Sequence, residues 1–170
     1  MTDFFIETLA TPIGTALIVI DEEAQLRALD WEDRAPSMHR LLRLHYGSVR
    51  LEPKGAASAA RRSVEAYFEG ELTAIDSLPV KTGGTAFQRS VWAALRTIPT
   101  GKTTTYGRLA AGLSRPKAVR AVGMANGANP ISIVVPCHRV IGADATLTGY
   151  GGGLERKRWL LQHEGVDCYC

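Results

Sequence analysis

The pattern of apolar and polar residues divides the chain into a strand-rich first half and a helical second half. Runs rich in β-branched and aromatic residues at 4–9, 16–20 and 26–31 predict three strands of a meander, because Pro, Gly or acidic residues separate them. Apolar residues recur at helical spacing in 38–46 and 56–68, which predicts two helices. The first half is therefore predicted to be a small sheet with helices.

The second half is predicted to be mostly helical. A capping-box pattern begins a helix over 85–97, and segments 106–113 and 116–127 follow as a closely spaced helix pair. This pair is a helix-turn-helix candidate, although helix pairs also occur in many protein cores. The continuous apolar run 131–135 predicts a buried strand or extended segment, and 154–163 predicts a last helix.

The length and composition are those of a globular protein with one domain or two small ones. The chain has 170 residues, of which 45% are hydrophobic and 22% charged, which argues against a disordered protein. No apolar run approaches the ~20 residues that span a bilayer, so no membrane partner is expected. The N-terminus shows no secretion signal, and we expect a cytoplasmic protein.

The overall charge of +3 conceals an asymmetry between the two halves. Residues 1–79 carry 8 Lys and Arg against 13 Asp and Glu, a formal charge of −5, whereas residues 80–170 carry 12 against 4, a charge of +8. Such asymmetry indicates an anionic partner, nucleic acid first, or else a solvated basic face. The sign changes at a Pro- and Gly-containing stretch, so we expect an N-terminal α/β domain over 1–79, a linker over 80–84 and a second domain over 85–170.

Cys137 is the most chemically suggestive residue of the chain. It follows an apolar run and a proline, and its neighbours are His138 and Arg139, two cationic groups that favour the nucleophilic thiolate. The alternative is a small buried core residue, which is what a cysteine thiol usually is. Cys168 and Cys170 lie at the C-terminus and are expected to be tail thiols in a cytosolic protein.

A base that activates Cys137 would need a partner of its own. Adjacent residues of an extended chain point to opposite faces, so His138 would reach the thiol only through a turn or a bridging water. Glu164 stands out among the acids of the basic half, because it lies beside His163 at a helix C-terminus, where the dipole is unfavourable for a carboxylate. Cys137, His138 and His163 lack the paired spacing of zinc sites, so no metal is expected.

Arg120 lies among small residues in the second helix of the candidate pair. Its neighbours include Ala118, Val119, Ala121 and Gly123. A helix face of small residues around one arginine can come close to a nucleic-acid backbone or groove. The alternative is that the small residues allow close helix packing and that Arg120 is a surface charge.

Taken together, several motifs in the second half resemble one family. They are Thr105-Tyr106-Gly107, PKAVRAVG at 116–123, Asn126 with Asn129-Pro130, IVVPCHRV at 133–140, TGYGGG at 148–153 and WLLQHEG at 159–165. The motifs resemble the O6-alkylguanine-DNA alkyltransferases, the methylated-DNA–protein-cysteine methyltransferases, and look most like their stand-alone bacterial (Ogt-type) form. The resemblance is dense over 85–165 and loose in the N-terminal half, and it implies an α/β (α+β) fold with an RNase H-like first domain.

The resemblance also implies a function and the residues that perform it. The protein would extrude O6-alkylguanine, and also O4-alkylthymine, from double-stranded DNA and transfer the alkyl group irreversibly to Cys137, as a monomer and without a cofactor. His138, through a water, and Glu164 would favour the thiolate, and Asn129 would bracket the turn before the active-site strand. Tyr106 would rotate the 3′ phosphate. Arg120 would replace the extruded base from the minor groove.

Two further sets of residues follow from the resemblance. The DNA-binding set is Arg115, Lys117, Ala118, Val119, Arg120, Ala121, Gly123 and Tyr106, and the pocket set is Val140, Tyr150, Gly151, Gly152, Trp92 and Met124. Gly151 replaces the serine of some members, so a hydroxyl contact from that position is lost. The first half has no cysteine, so the structural zinc site that some relatives have in this half is not expected. The additional metal-binding regulatory module of other relatives is not expected either.

Two other functions are compatible with parts of the sequence. A non-enzymatic, alkyltransferase-like binder of alkylated DNA would keep the helix-turn-helix and lose the acceptor, but Cys137 is present. A cysteine hydrolase would need an oxyanion hole and would leave Arg120, Tyr106 and the basic half unexplained.

Overall fold

The computed structural model describes residues 1–167. The chain folds as two compact units, the first over Met1–Gly84 and the second beginning at Thr85. The expectations for Cys168 and Cys170 lie outside the described residues. None of the helices formed by residues 1–167 has the length and hydropathy of a membrane-spanning segment.

The first unit is built on a four-stranded sheet. Its strands are β1 (Thr2–Thr11), β2 (Gly14–Ile20), β3 (Leu26–Trp31) and β4 (Val49–Pro53). They lie in the order β3-β2-β1-β4, and the antiparallel β1–β2 and β2–β3 pairs confirm the predicted meander. The strand β4, which pairs parallel to β1, was not predicted from the sequence.

Helices cover both faces of this sheet. Helix α1 (Ala35–Tyr46) buries Met38 and Leu42 in a core with Phe4 and Val19. Helix α2 (Ala59–Phe68) packs on the other face. On that face Glu7, which points to the opposite side of β1 from Phe4, accepts a 2.8 Å hydrogen bond from the backbone N–H of Ser58, the residue before the helix. Both predicted helices are confirmed, although α2 begins later than predicted because its N-cap is at residue 58.

The stretch expected as a linker is partly bound to the sheet. The carbonyl of Pro79 accepts a 2.9 Å hydrogen bond from the Leu26 N–H, and the Lys81 N–H donates to the Leu26 carbonyl at 2.9 Å. Val80 thereby forms a parallel bridge with the first residue of β3. Residues 79–81 therefore extend the sheet of the first unit.

Within residues 85–167, the second unit contains four α-helices and two very short strands. They are α3 (Ala86–Leu95), β5 (Thr104–Thr105), α4 (Tyr106–Gly112), α5 (Val119–Gly127), β6 (Val140–Ile141) and α6 (Leu154–His163). All four predicted helices form, and α5 begins at Val119 instead of Pro116. Residues 115–118 make a turn, in which the Ala118 N–H donates to the Arg115 carbonyl at 2.9 Å.

The indole of Trp92 fastens α3 to α5. Its Nε1 donates a 2.8 Å hydrogen bond to the Ala125 carbonyl, and the residue is buried. The structure thus places Trp92 in the helical core, although the resemblance implied a place in the substrate pocket. The indole N–H of a buried tryptophan usually needs a hydrogen-bond acceptor, and here a backbone carbonyl provides it.

The run Ile131–Val135 is a buried turn, so the predicted strand or extended segment is wrong. The Val135 N–H donates to the Ile131 carbonyl at 3.1 Å, and Ile133 has a φ of 70°. A β-branched residue rarely adopts this left-handed conformation, so surrounding contacts must hold it. A continuous apolar run predicts burial well, but it does not distinguish a strand from a buried turn.

The capping box of α3 gives a test of local stability in the second unit. The Thr85 hydroxyl accepts from the Gln88 N–H at 3.1 Å, and the Gln88 amide accepts from the Thr85 N–H at 2.9 Å. We expect Thr85→Ala to lower the free energy of unfolding by about 1 kcal/mol, measured by urea denaturation. Ser90→Ala removes an exposed hydroxyl from the same helix and should change it by less than about 0.5 kcal/mol. Equal effects of both substitutions would contradict the role of the cap.

Candidate active site and nucleic-acid interface

Cys137 begins a single 3₁₀ turn, Cys137–Arg139, between the buried turn and β6. Its side chain is nearly enclosed, with the residue 6% exposed. Asn129 holds the preceding turn by three hydrogen bonds. Its Nδ2 donates to the carbonyls of Ile131 at 3.2 Å and Val135 at 2.8 Å, and its Oδ1 accepts from the Ile131 N–H at 2.9 Å. The side chain of Asn129 thus fixes the backbone that presents the thiol.

A short parallel pairing brings the turn next to the start of α4. Thr104 pairs with Val140 and Thr105 with Ile141. Tyr106 follows directly as the first residue of α4, where the Thr105 hydroxyl caps the helix. This pairing explains why Tyr106 and Cys137, which are far apart in sequence, line the same cavity.

His138 and Arg139 both bind the carboxylate of Glu164. His138 Nε2 lies 2.8 Å from Glu164 Oε2, and Arg139 donates to Oε1 from Nε at 2.8 Å and to Oε2 from its terminal nitrogen at 3.0 Å. Arg139 also donates to the Ile98 carbonyl at 2.7 Å. All three side chains are buried, so this ion-pair cluster joins the 3₁₀ turn, the end of α6 and the segment after α3. Sequence reasoning had treated Arg139 only as a cationic neighbour of the thiol.

The electrostatics of the cluster fix the proton on His138. Burial alone would raise the pKa of the Glu164 carboxyl, but the hydrogen bonds from His138 and Arg139 and the charge of Arg139 outweigh it and hold that pKa well below its usual range. Burial lowers the pKa of His138, which favours the neutral imidazole. A neutral ring beside a carboxylate donates from Nε2, so its Nδ1 is left as an acceptor. Nδ1 is buried and has no hydrogen-bond partner among residues 1–167.

A cavity of about 470 Å³ opens next to the thiol. Its lining residues are Tyr106, Val119, Gly123, Asn126, Gly127, Cys137, Thr148, Gly149, Tyr150 and Gly151. Of the residues assigned from the sequence to the pocket, Tyr150 and Gly151 belong to this lining. The structure also adds Asn126 and Thr148, to which no role had been given. The volume is within the range of about 300–1,000 Å³ that is common for small-ligand sites.

The other residues assigned to the pocket lie elsewhere. Val140 is buried in β6, and the carbonyl of Gly152 accepts a hydrogen bond from Arg156 at 3.1 Å. Met124 is 78% exposed, because it lies on the outward face of α5. Together with Trp92 in the core, these residues are not among those described as lining the cavity.

Helix α5 presents a face of small side chains around Arg120 to solvent. Val119, Arg120 and Ala121 are exposed, and Val122 and Ala125 are buried against the rest of the unit. Two further cations, Arg115 and Lys117, precede the helix and are exposed. The Arg115 guanidinium lies 5.5 Å from the centre of the Phe87 ring. Apart from Tyr106, the first residue of α4, the residues assigned to DNA binding therefore lie along α5 and the turn before it.

Lys157 is a further residue that sequence reasoning missed. Although it is charged, it is fully buried in α6, and its Nζ donates to the carbonyls of Val140 at 2.7 Å, Thr148 at 2.6 Å and Gly149 at 3.5 Å. The ammonium group thus ties the loop that lines the cavity to β6. A signal existed in the sequence, because Lys157 occupies the first position of the stripe that continues through the buried Leu160 and Leu161. Among residues 1–167, no three His, Cys, Asp or Glu side chains are grouped to hold a metal ion.

The depressed pKa of His138 predicts a pH dependence of stability. A buried neutral histidine takes up a proton on unfolding once the pH falls below its ordinary pKa of 6.5, so its contribution to stability is lost as the pH falls. Urea denaturation between about pH 7.5 and 5.5 should show a free energy of unfolding that declines by up to ~1.4 kcal/mol per pH unit more in the wild type than in His138→Gln. All other titrating groups are common to the two proteins. Parallel pH profiles would show that folding leaves the pKa of His138 unchanged.

Comparison with known proteins shows which family the chain is similar to. The family model described as the 6-O-methylguanine DNA methyltransferase DNA binding domain matches residues 86–166, and the one for its ribonuclease-like domain matches residues 5–82. The methylated-DNA–protein-cysteine methyltransferase of Salmonella typhimurium is 55% identical over 161 residues, 94% of each chain. The protein of that name from Haemophilus influenzae is 44% identical and covers 98% of this chain and 89% of its own.

A solved structure extends the similarity to three dimensions. The crystal structure of Mycobacterium tuberculosis OGT in complex with DNA superposes with a TM-score of 0.80 at 42% identity, covering 96% of this chain and 92% of that one. The mixed α/β fold with a ribonuclease-like first domain, expected from the sequence, is thereby confirmed. The expected family is confirmed as well: the chain belongs to the methylated-DNA–protein-cysteine methyltransferases.

Proposed function

We propose that this protein repairs DNA by transferring the alkyl group of O6-alkylguanine to the Sγ atom of Cys137. The observation that carries the proposal is the position of Cys137 in the wall of a nucleobase-sized cavity. The next residue in sequence is His138, whose Nε2 is bound to the buried carboxylate of Glu164. The membership of the family, established over nearly the whole chain, supports the same chemistry.

The cluster behind Cys137 is suited to accept the proton of the thiol. His138 Nδ1 takes this proton through one bridging water, and the imidazolium that forms is stabilised by Glu164, 2.8 Å from Nε2. Arg139 keeps Glu164 ionised throughout. The thiolate thus forms in a nearly dry environment, where it is a stronger nucleophile than in bulk water.

Transfer is a single displacement at the alkyl carbon. The sulfur–carbon bond forms as the bond between that carbon and O6 of guanine breaks, and guanine leaves as an anion. This anion then becomes protonated on its N1 atom. The product is a thioether, which has no acyl group for water to attack. One alkyl group is therefore accepted by each molecule, and the protein is consumed in the reaction.

The base must leave the duplex to reach the thiol, because O6 is out of reach inside the helix. The solved relative in complex with DNA supports duplex DNA as the partner of this chain. Helix α5, with its small exposed residues, enters the minor groove, and Arg120 fills the space left by the extruded nucleotide. Tyr106 turns the 3′ phosphate, and Arg115 and Lys117 bind phosphates alongside. O4-alkylthymine is a second substrate, and the protein acts as a monomer in the cytoplasm.

A non-enzymatic binder of alkylated DNA is the second candidate from the sequence. Such a protein keeps the pocket and the groove-binding helix but has no acceptor thiol. Here the thiol is present and lines the cavity, which favours transfer over binding alone.

The covalent product gives the direct test. Incubation with a duplex that contains one O6-methylguanine should raise the intact mass of the protein by one methyl group in place of one hydrogen, and peptide mapping should locate it on Cys137. Cys137→Ala should gain nothing while it still binds the duplex. An unchanged mass of the wild type, or methylation of the variant, would exclude Cys137 as the acceptor.

The role of Arg120 is tested by comparing two substrates. Arg120→Ala should slow methyl transfer from duplex DNA by at least about 10-fold, because the side chain no longer offsets the unstacking cost of a few kcal/mol. Transfer from O6-benzylguanine as a base alone should change little. Lys117→Ala is the control from the same region. It should weaken duplex binding to a similar extent for all DNA sequences and reduce the slope of the log binding constant against log salt concentration by about 1. If Arg120→Ala slowed transfer from both substrates by the same factor, this result would contradict the assignment.

A further inference from the structure

Asn126 has an unusual position in the cavity. It lies in the last turn of α5, on the face that buries Val122 and Ala125, and it is only 5% exposed. It nevertheless contributes to the wall of the cavity that Cys137 also lines. Its Oδ1 atom is buried and accepts no hydrogen bond from any of residues 1–167. None of the steps proposed above uses this residue.

An unbonded amide oxygen in the protein interior is unfavourable for stability. Most buried polar side-chain atoms have a hydrogen-bond partner, and each one without a partner requires a specific explanation, of which a role in a functional site is one. Asn129, three residues later, shows the usual situation, because both ends of its amide are bonded to backbone groups. The torsion that turns an asparagine amide is broad, so Asn126 can turn its oxygen toward a bound molecule without movement of the helix.

The chemistry of the substrate identifies the donor that this oxygen fits. Alkylation at O6 removes the N1 proton of guanine, so N1, N3 and N7 are all acceptors in the alkylated nucleotide. The exocyclic 2-amino group is then the one donor left on the base. O4-alkylthymine has lost the proton at N3 and carries its sugar at N1, so it offers no N–H group at all.

We propose that Asn126 is a specificity-determining residue of the pocket, whose Oδ1 accepts a hydrogen bond from the 2-amino group of the extruded O6-alkylguanine. The inference rests on the proposed function, because it assumes that the base enters the cavity beside Cys137. A site built around such an acceptor discriminates against a base that lacks the donor, since the buried oxygen then stays unbonded. Asn126 thereby favours O6-alkylguanine over O4-alkylthymine.

The experiment deletes the two partners of the hydrogen bond separately. Single-turnover rates of methyl transfer are measured for duplexes with O6-methylguanine or O6-methylhypoxanthine, which lacks only the 2-amino group, at the same position. The wild type, Asn126→Leu and Asn126→Asp are compared. The guanine-to-hypoxanthine rate ratio should be larger in the wild type than in Asn126→Leu by on the order of 10-fold. Asn126→Asp keeps the acceptor and should keep the preference, even if its carboxylate slows both reactions.

The comparison is insensitive to folding and to base extrusion. Each ratio is taken within one protein, so a smaller active fraction cancels, and the different ease of extruding the two bases is common to all three proteins. A ratio that is the same in the wild type and Asn126→Leu overturns the assignment of Asn126 and leaves methyl transfer to Cys137 intact. Absence of transfer in the wild type overturns the proposed function itself.

Discussion

The buried carboxylate of Glu164 is the constraint on which the second unit depends. It compensates the guanidinium of Arg139 and fixes the ring of His138, and all three side chains are shielded from solvent. Removal of one partner from such a cluster leaves a buried charge without compensation, which typically costs about 3–5 kcal/mol. The same interaction that holds the imidazole of His138 therefore also holds the end of α6 against the 3₁₀ turn. The chemistry of the site and the stability of the fold cannot be changed independently at this point.

Side chains, more than regular backbone pairing, shape the rest of the site. The thiol follows a buried turn that Asn129 holds through three hydrogen bonds, and Lys157 secures the cavity loop through backbone carbonyls. The strands β5 and β6 contribute only two residue pairs between them. Buried polar groups with satisfied hydrogen bonds can specify one backbone conformation where a hydrophobic core alone would allow several. This arrangement holds irregular backbone firmly next to a cavity that must admit a flat, polar base.

Runs of β-branched and aromatic residues between turn signals predicted the meander. Periodicity predicted α1, α2 and α3, because each of these helices buries one face and exposes the other. It failed at Ile131–Val135, where every residue is buried and no alternation can reveal the path of the backbone. Ile133, with its positive φ, lies in the middle of this run, and Asn129, outside the run, holds the two ends of the run by hydrogen bonds to Ile131 and Val135. Among the site residues, family motifs rather than local pattern identified His138 and Glu164 as a pair. The 2.8 Å contact between them depends on chain folding over a long separation in sequence.

The charges within α6 show how sequence can point to such contacts. Lys157 and Glu164 occupy the two ends of one buried stripe, with Leu160 and Leu161 between them. A charged residue is almost never fully buried without a partner, so each end of this stripe requires a bonding group from another element. The N-terminal end finds backbone carbonyls of the cavity loop, and the C-terminal end finds Arg139 and His138. One helix thereby connects two parts of the site, because its apolar centre packs in the core while its charged ends bind the cavity loop and the turn that carries the thiol.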